Sequence, residues 1–414
     1  MNQKLKIAIC SYRSAPFGGG QGIFVFELSK ALNNLGHHVD VISGPPYPKL
    51  SKSIKLIKSP GLNLFSTFNF QERLKIFLEK KSKSADDWYE FISALFGGFP
   101  ELKTFGNRVQ TILDESSYDV VIDNQSLSYG MIEIQKKIPL IEIIHHPITK
   151  DYRYDIQFSK SIIQKISKWR WFSFLKMQKR VSLKLKVIST PSHNSKKDIA
   201  KDFGVFESNI SVIPNGIDHK SFSPMQDIKR VPGQIITTAS ADVPLKGLDF
   251  TLHAISRLKI DYPELKLVII GAPRPGGHTE RLIKRLQIDQ NILYRSNLTR
   301  HEIAVEYAKS NVAIVSSLYE GFGFPVGEAM SCAIPLVATN VASIPEITQS
   351  FAELIPAEST DAIELAIRNI FTNPKKNQSR ADAGRMHIIE NFNWQKIGKL
   401  YEDLIYKTIN EFQC

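Results

Sequence analysis

Short apolar runs alternate with helical patterns along most of this 414-residue chain. The run LKIAIC precedes a glycine-rich loop and a helical pattern, GGGQGIFVFELSKALNNLG, and a second apolar run, HHVDVIS, follows. Such alternation is typical of βαβ units, because parallel neighbouring strands need a crossover of helical length. The pattern therefore predicts a parallel sheet whose further strands are YDVVID, PLIEIIHH, LKVIST and SVIPNGID.

The same alternation starts again in the second half of the chain. Its predicted strands are GQIITTAS, LKLVIIGA, NILYRS, VAIVSS, IPLVATN and AELIP. A chain of this length suits two domains of about 200 residues each better than a single core. We predict an α/β protein with two doubly wound, Rossmann-like domains, residues 1–218 and 219–390, that face a central cleft. Ligands in such sheets bind beyond the carboxyl ends of the strands.

Three segments depart from the alternation. Residues 219–233 contain Pro224 and Pro232, which predicts a linker. Residues 60–107 and 158–187 are rich in aromatic side chains and exceed the length of ordinary connections.

Composition restricts the setting in which the protein works. A formal net charge of +12 favours anionic partners such as nucleotides, nucleic acid or acidic lipid, without choosing among them. Cys10, Cys332 and Cys414 are scattered and odd in number, which argues against a disulfide framework or a structural zinc site. The first apolar run is too short for a signal peptide, and no run reaches the roughly 18 to 20 residues of a membrane span. We expect a cytoplasmic protein.

Two glutamates enclose a glycine-rich stretch in SSLYEGFGFPVGEAMSC, residues 316–332. Glu320 follows a predicted strand, and Glu328 is predicted in the first turn of a helix beginning near Pro325, where backbone N–H groups attract a phosphate. Carboxylates accept strong hydrogen bonds from hydroxyls, so each acid could hold one sugar of a sugar nucleotide with the diphosphate between them. The alternative is that Glu328 only favours the helix N-terminus and Glu320 is solvated.

Three further clusters are candidates for the same site. Lys246, in TTASADVPLKGLDF, stands between a strand and a helix, where its ammonium could meet a diphosphate or simply be solvated. His145 and His146 end a predicted strand and are candidates for the cleft, although structural histidines are common. A loop ahead of the first helix could approach a ligand or be only a flexible turn. Its glycines are Gly18, Gly19, Gly20 and Gly22.

Taken together, these stretches resemble the retaining glycosyltransferases of family 4, which have the GT-B fold. GGQGIFVFELSKALNNLGHHVDVIS looks like the family's opening glycine loop and helix, and ISVIPNGID looks like its interdomain signature. SSLYEGFGFPVGEAMSCAIPLVATNVASIPEI looks like its E-x7-E region. The resemblance implies that the first domain serves the acceptor and the second binds the nucleotide sugar. It also implies that residues 391–414 form a closing helix that crosses back onto the first domain.

The resemblance implies a role for each candidate residue. Glu320 would hold the donor's sugar hydroxyls, Glu328 its ribose, and Lys246 its diphosphate. His145 would be the active-site histidine and His146 its neighbour. The remaining candidates would face the transferred sugar or line the cleft: Gly321, Phe322, Gly323, Gly19 and Gly20.

The implied reaction is hexosyl transfer with retention from a UDP-, GDP- or ADP-sugar to a glycan, lipid-linked or small-molecule acceptor, as in polysaccharide or cell-envelope biosynthesis. No metal is expected, and the sequence contains no Asp-x-Asp, HExxH or CxxC pattern. Two positions depart from the family pattern. Ala241 stands where an arginine is usual, and Cys332 where a glycine is usual. These departures leave the donor type open.

The segment 160–187 interleaves basic and aromatic residues, which suits a surface that contacts anionic lipid. We therefore predict peripheral contact with the cytoplasmic face of a membrane. The competing interpretation is a solvated helix with a buried aromatic stripe. Two other function classes stay open: a non-catalytic nucleotide-sugar-binding protein of the same fold, and a basic nucleic-acid-binding protein. A nucleic-acid role explains Glu320 and Glu328 less well, so no nucleic-acid partner is expected.

Overall fold

The chain forms two compact units, Met1–Pro214 with Trp394–Cys414, and Asn215–Asn393. The computed structural model describes residues 3–15, 19–65, 67, 69–159, 161–238, 242–272 and 274–413. The boundaries between the two units lie after Pro214 and after Asn393. The sequence pattern had placed these boundaries after residues 218 and 390. None of the helices in the described ranges combines the length and the apolar composition needed to span a bilayer.

Strands and helices alternate through both units. The strands are β1 (Lys6–Ser11), β2 (His38–Ser43), β3 (Lys55–Lys58), β4 (Val120–Asn124), β5 (Leu140–Ile143), β6 (Ile188–Thr190), β7 (Ile210–Val212), β8 (Gln234–Thr237), β9 (Lys266–Ile270), β10 (Ile292–Arg295), β11 (Val312–Val315), β12 (Leu336–Thr339) and β13 (Glu353–Ile355). The helices are α1 (Gly20–Asn34), α2 (Phe70–Glu79), α3 (Ala85–Leu95), α4 (Glu101–Asp114), α5 (Tyr129–Ile134), α6 (Thr149–Gln157), α7 (Ile162–Trp171), α8 (Leu175–Ser182), α9 (His193–Phe203), α10 (Leu248–Leu258), α11 (His278–Leu286), α12 (Arg300–Lys309), α13 (Phe324–Ser331), α14 (Ile344–Thr348), α15 (Thr360–Thr372), α16 (Pro374–Asn391) and α17 (Trp394–Gln413).

A seven-stranded parallel sheet forms the centre of the first unit, in the order β3-β2-β1-β4-β5-β6-β7. The strand order reverses between β1 and β4, as in a doubly wound sheet, and the carboxyl ends of β1, β4 and β5 lie at one edge. Ile7, Ile9, Val121 and Ile141 are fully enclosed. Burial on both faces explains why these strands read as continuous apolar runs.

The edge strand β3 is absent from the sequence prediction, which was wrong here. It consists of four residues, KLIK, and pairs with β2 from Lys55 opposite Asp40 to Lys58 opposite Ser43. Two apolar residues between lysines are too few to stand out as an apolar run. A short, charged edge of this kind discourages pairing with another chain.

The two aromatic-rich segments fold mainly as helices. Residues 60–107 contain α2, α3 and the start of α4, where the rings of Phe77 and Phe91 stack 4.4 Å apart. Residues 158–187 contain α7, a 3-10 turn and α8. All of α7 lies in the described part of the chain, and none of its residues is buried. A buried aromatic stripe therefore does not describe α7. The buried rings, Phe172 and Phe174, belong to the turn that follows.

The closing helix α17 packs against α1 within the first unit. The ring of Phe24 lies 6.0 Å from the rings of both Trp394 and Tyr401. Gly398 allows this approach, because a Cβ there would lie 2.9 Å from the Cβ of Ala31.

A six-stranded parallel sheet in the order β10-β9-β8-β11-β12-β13 forms the centre of the second unit. The carboxyl ends of β8 and β11 are adjacent, since Val312 pairs with Ile235 and Ala313 with Ile236. Thr299 and Glu302 form a capping box ahead of the helix α12, which begins at Arg300.

The segment 219–233 does not behave as the predicted linker. Phe222 is 3% exposed and belongs to the core of the second unit. The N–H of Val231 donates to the carbonyl of Lys309, and the Ser331 hydroxyl donates to the carbonyl of Phe222. Apolar burial and backbone hydrogen bonds fix this segment in spite of its prolines.

Candidate functional site

A small polar pocket lies at the carboxyl ends of β8 and β11 in the second unit. This edge of a parallel sheet is where α/β proteins bind ligands. The pocket is lined by Thr237, Thr238, Lys246, Ile314, Val315, Ser316, Ser317, Glu320 and Pro325. Two of the predicted catalytic residues, Lys246 and Glu320, are therefore among its walls.

Lys246 ends a 3-10 turn, Pro244–Lys246, that connects β8 to α10. Gly247 follows in the left-handed region at φ +61°, and a Cβ there would lie 2.0 Å from the carbonyl oxygen of Ser316. The N–H of Leu318 donates to the carbonyl of Leu245 at 2.7 Å. The turn is therefore fixed directly against the loop after β11, and only glycine fits at position 247.

The ammonium of Lys246 donates to Oε1 of Glu320 at 2.6 Å. The hydroxyl of Ser317 donates to the same oxygen at 2.7 Å. The side chains of Lys246 and Glu320 are 26% and 11% exposed, so both charges stay within reach of a ligand. The structure therefore brings these two candidate residues together at one edge of the sheet.

Ser343 fixes the loop between the two glutamates. Its hydroxyl lies 2.9 Å from the carbonyl oxygen of Glu320 and 2.7 Å from that of Phe322. The ring of Phe322 is buried against Phe392 in the core, so only its backbone is placed to meet a ligand. Ser343 could not be predicted as part of the site, because a serine in SIPEI carries no local signal for this contact.

The predicted placement of Glu328 in the first turn of its helix is wrong. Gly323, at φ +100°, is the N-cap of α13, and the helix begins at Phe324. Glu328 is therefore the fifth helical residue, and no acid lies in the first turn. The helix starts before Pro325 because Gly323 can adopt the left-handed conformation that turns the chain into it.

Glu328 has an unusual electrostatic environment. Burial raises the pKa of its carboxyl to about 7, the charge of Arg300 lowers that pKa, and Asp218 raises it. Arg300 and Asp218 form an ion pair at 3.2 Å. Asp218 belongs to the ISVIPNGID stretch, whose role in holding charge near Glu328 was not predicted.

Gly327 allows the ISVIPNGID stretch to pack on α13. A Cβ on Gly327 would lie 2.4 Å from Cδ1 of Ile217, and Ile217 is 1% exposed. The glycine in PVGEAM therefore serves packing, whereas Gly321 and Gly323 belong to the loop beside Glu320.

In the first unit, His145 follows the end of β5. Its Nε2 lies 2.8 Å from Oδ1 of Asn124, and its backbone N–H donates to Oε1 of Gln125 at 2.8 Å. The Asn124 amide nitrogen donates to the Ser11 hydroxyl, so Oδ1 is the acceptor and Nε2 carries the proton. Burial, with a smaller effect of His146, lowers the pKa of His145 to about 3. The imidazole is therefore neutral at physiological pH.

His146 occupies a different environment from its neighbour. Its Nε2 lies 2.7 Å from Oδ2 of Asp151, and its carbonyl accepts a hydrogen bond from the Gln125 side chain at 2.8 Å. One amide, that of Gln125, thus holds the backbone of both histidines. Asn124 is the last residue of β4 and Gln125 follows it, so a strand end in DNQS was the available signal for them.

The glycine loop leads from β1 into α1. Gly19 is the N-cap of α1 at φ +90°, Gly20 is its first residue, and both are exposed. Gly22 is a packing glycine, because a Cβ there would lie 2.3 Å from the carbonyl oxygen of Ala15. Gly18 lies outside the described residues.

Of the two positions that depart from the family pattern, the structure describes Cys332 but not Ala241. Ala241, and Ser240 beside it, lie outside the described residues. Cys332 is a buried free thiol that follows α13 at φ −79°, a conformation that does not require glycine. The left-handed position is that of the next residue, Ala333, at φ +52°. In the described ranges, no group of three or more His, Cys, Asp or Glu side chains is arranged to hold a metal ion.

Comparison with known proteins gives the family. The family model described as Glycosyl transferases group 1 matches residues 225–387, and the one described as Glycosyltransferase Family 4 matches residues 18–221. The chain is 39% identical to the MMP alpha-(1->4)-mannosyltransferase of Mycolicibacterium hassiacum over 339 residues, which is 81% of each chain.

Two solved structures are similar in fold. The sucrose-phosphate synthase of Thermosynechococcus elongatus has a TM-score of 0.76 at 19% identity and covers 99% of this chain and 100% of its own. HepE of Anabaena, solved in complex with UDP and glucose, has a TM-score of 0.68 at 14% identity over 97% of this chain and 100% of its own. The two Rossmann-like units are those of the GT-B fold. Because it matches both family models and is 39% identical to a mannosyltransferase over most of its length, the chain belongs to the family 4 glycosyltransferases.

Proposed function

We propose that this glycosyltransferase moves a hexose from a nucleotide-sugar donor with retention of configuration and without a metal. The observation that supports this proposal most directly is the pairing of Lys246 with Glu320 beside the glycine-rich loop. A cation and an anion at one ligand-binding edge match the two ends of a sugar diphosphate. The ammonium suits the phosphates, and the carboxylate suits the sugar hydroxyls.

The donor would span the second unit from Glu320 to Glu328. The backbone of Gly321, Phe322 and Gly323 would face the transferred sugar, and Glu328 would accept hydrogen bonds from the ribose. The name of the Mycolicibacterium hassiacum relative supports mannose as the hexose, and the UDP complex of HepE supports a nucleotide donor.

Cleavage of the sugar–phosphate bond leaves negative charge on the diphosphate. Lys246, held by its turn and by Glu320, would stabilise that charge without reorganisation. The leaving phosphate would accept the proton of the attacking hydroxyl, so neither glutamate needs to act as a nucleophile. This role of a fixed cation is the reason for proposing that no metal is required.

The first unit would contribute the groups that meet the transferred sugar and the acceptor. Gly19 and Gly20 leave backbone accessible at the start of α1. His145, neutral and protonated on Nε2, retains an acceptor at Nδ1 for a sugar hydroxyl. His146, beside Asp151, would have a supporting role.

A donor panel tests the proposed activity. UDP-, GDP- and ADP-hexoses, with mannose among the sugars, are incubated with candidate glycan, lipid-linked and small-molecule acceptors. Release of the nucleoside diphosphate together with an α-linked product is expected, and excess chelator should leave the rate unchanged. Thermal stabilisation by a donor with no turnover on any acceptor would favour the non-catalytic binding protein instead. Loss of activity with chelator, restored by a divalent cation, would contradict the metal-independent reaction.

A membrane surface is proposed for α7. Its exposed apolar residues are Ile162, Ile163, Ile166 and Trp169, between 50% and 76% exposed. Basic residues of the same helix, Lys165, Lys168 and Arg170, accompany them. Apolar and cationic side chains on one exposed helix match an anionic lipid surface. Such contact would suit a lipid-linked acceptor.

Flotation with anionic vesicles at low salt tests this contact. The wild-type protein should float, and Ile163→Asp should reduce flotation strongly. Phe206→Asp is the control, because Phe206 is 77% exposed in the same unit but lies outside α7. Equal flotation of all three proteins, or of none, would contradict a membrane role for α7.

A further inference from the structure

Two buried carboxyl groups lie side by side in the sheet of the first unit. Asp123 of β4 pairs in register with Glu142 of β5, and Cys10 of β1 pairs with Asp123 on its other side. Residues at paired positions of parallel strands project from the same face of a sheet. All three side chains are fully enclosed. That face carries the apolar core formed by Ala8, Val121, Leu140 and Ile144.

The hydrogen bonds of the pair are unevenly shared. Oδ2 of Asp123 accepts hydrogen bonds from the Ser126 N–H at 2.9 Å, the Ser126 hydroxyl at 2.6 Å and the Leu127 N–H at 3.3 Å. Among the described residues, Oδ1 of Asp123 and both carboxyl oxygens of Glu142 have no hydrogen-bond partner of normal geometry, and the nearby Leu127 N–H has only a small lowering effect on the pKa of Glu142. Two ionised carboxylates in that position would repel each other and lack hydrogen bonds, which is strongly unfavourable in a buried site.

A single proton removes this conflict. If Glu142 is protonated, its O–H becomes a donor and Oδ1 of Asp123 becomes its acceptor. Asp123 is the member that stays ionised, because three donors already stabilise its negative charge. We infer that Glu142 holds a proton, shares it with Asp123, and thereby fixes the turn that positions His145.

The turn after β4 depends on such support. Gln125 and Leu127 are not glycines, yet both adopt positive φ, +59° and +48°. Residues in this region are retained only where surrounding contacts over-determine them. Asp123 supplies these contacts to Ser126 and Leu127. The turn thereby holds Asn124 and Gln125 in contact with His145. Glu142 is therefore a positioning residue.

The surroundings of Glu142 agree with a bound proton. Burial first, then the charge of Asp123, raises the pKa of Glu142 well above its usual value. Among the described residues, the titratable neighbours on this face are Asp123 and, beyond it, Cys10, and burial raises the pKa of both. Asp40 of β2, which pairs with Ala8 and accepts a hydrogen bond from Tyr118, lies further along the same face. On the other side, β6 presents Ile188 opposite Glu142. Since the folded pKa is raised, the stabilisation is complete below the unfolded pKa and is lost as pH rises through the folded value.

Infrared spectroscopy of the full chain tests the proton directly. At neutral pH, the wild-type spectrum minus that of Glu142→Gln should show the C=O stretch of a buried carboxylic acid, because the contribution of Glu328, whose pKa is about 7, is common to both proteins. Identical spectra of the two proteins in this region would overturn the proposal. This readout requires no donor, acceptor or activity.

Two variants then separate positioning from bulk stability. Glu142→Gln keeps a donor toward Asp123 and should retain kcat within about threefold, whereas Glu142→Leu leaves a buried acceptor unpaired and should lower kcat at least tenfold or so. The wild type should lose activity at alkaline pH, and Glu142→Gln should not. Wild-type kcat in Glu142→Leu would overturn the positioning role.

The link to catalysis rests on the proposed role of His145, and nuclear magnetic resonance makes the two failures distinguishable. With histidine labelled by ¹⁵N, the Nε2 signal of His145 should shift in Glu142→Leu and stay in place in Glu142→Gln. If these signal changes are found and the wild type is nevertheless inactive, the proposed function is contradicted but the shared proton is not. An unshifted signal in Glu142→Leu would overturn the inference even in an active enzyme.

Discussion

The ammonium of Lys246 and the carboxylate of Glu320 meet at 2.6 Å although 74 residues separate them along the chain. They meet because Lys246 follows β8, Glu320 follows β11, and these strands are neighbours in the sheet. In this ion pair, two partly enclosed charges of opposite sign neutralise each other. In the proposed donor complex, the diphosphate would contact Lys246 and a sugar hydroxyl would contact Glu320, which is the basis of the first two predictions.

Replacing Glu320 by glutamine should impair transfer while preserving the fold. The amide matches the carboxylate in shape but removes the charge that Lys246 and Ser317 contact. We expect kcat/KM to fall roughly 10- to 150-fold, from the loss of a charge-assisted hydrogen bond worth about 1.5–3 kcal/mol. Steady-state kinetics measures this change. Glu353→Gln is the control, since Glu353 pairs with Arg380 in the same unit but away from the pocket. Unchanged kcat and KM in Glu320→Gln would remove this residue from the site.

Replacing Lys246 by methionine should weaken binding of the diphosphate specifically. Calorimetry with a nucleoside diphosphate should show a roughly 10- to 150-fold loss of affinity, because hydrogen bonds to charged groups contribute about 1.5–3 kcal/mol. Affinity for the nucleoside alone should be unchanged. The control, Lys284→Met, removes an exposed lysine that pairs with Glu280. Equal losses for nucleoside and nucleoside diphosphate would show that Lys246 does not contact the phosphates.

The pKa of Glu328 predicts a pH-dependent stability. Its folded pKa of about 7 lies above the ordinary value of 4.5, so its stabilising contribution is complete below pH 4.5 and is lost as pH rises through 7. Glu328→Gln should therefore be more stable than the wild type above pH 7, by about 1–3 kcal/mol after allowance for partial exposure. The difference should vanish below pH 4.5. Urea titrations across this range measure it, with Glu264→Gln as the exposed control.

The same carboxyl should make donor binding depend on pH. Ionised Glu328 accepts hydrogen bonds from ribose hydroxyls better than the protonated acid does. We expect KM for the donor to rise in the wild type as pH falls below about 7, and to be high and nearly constant in Glu328→Gln. A parallel pH profile in the two enzymes would assign the pH dependence to another group.

Alanine substitutions at Gly247 and Gly276 separate the cost of the close backbone contact at the Lys246 turn from the cost of a positive φ. Both adopt positive φ, +61° and +65°, but a Cβ would clash with the Ser316 carbonyl only at Gly247 and would meet open space at Gly276. Gly276→Ala should cost about 1–2 kcal/mol from the backbone conformation alone. Gly247→Ala should cost distinctly more and should also lower kcat/KM, because Lys246 is displaced. Thermal unfolding and kinetics together provide the measurement. Equal costs at both positions would contradict a functional constraint at Gly247.

The strands that were predicted and the one that was missed show how much secondary structure a local sequence pattern can predict. Apolar runs such as LKIAIC and VAIVSS are properties of a few consecutive residues, and they predicted β1 and β11. The short edge strand β3 was missed because its KLIK sequence has too little apolar content to differ from a loop. Pairing with β2, from which it is separated by the loop of residues 44–54, makes it a strand.

The candidate site shows the same limit. Glu320 and Lys246 were recognisable because the family pattern retains residue type and spacing. Glu328 was recognised as a residue but placed in the wrong turn, since the start of α13 depends on the conformation of Gly323. Ser343 and Gln125 act on backbone groups that lie 21 and 20 residues away, at Phe322 and His145, and nothing in their local sequence records those partners.

The alternation of strands and helices, the two Rossmann-like halves and the residue types proposed to meet the donor could be predicted from the sequence alone, because these are encoded in nearby residues. The facing of charges, the glycines that permit close packing and the enclosure of carboxyl groups became visible once the chain was folded. The cause is that pKa, hydrogen bonding and burial depend on all atoms around a group. For Glu142, the decisive neighbour is Asp123 on an adjacent strand.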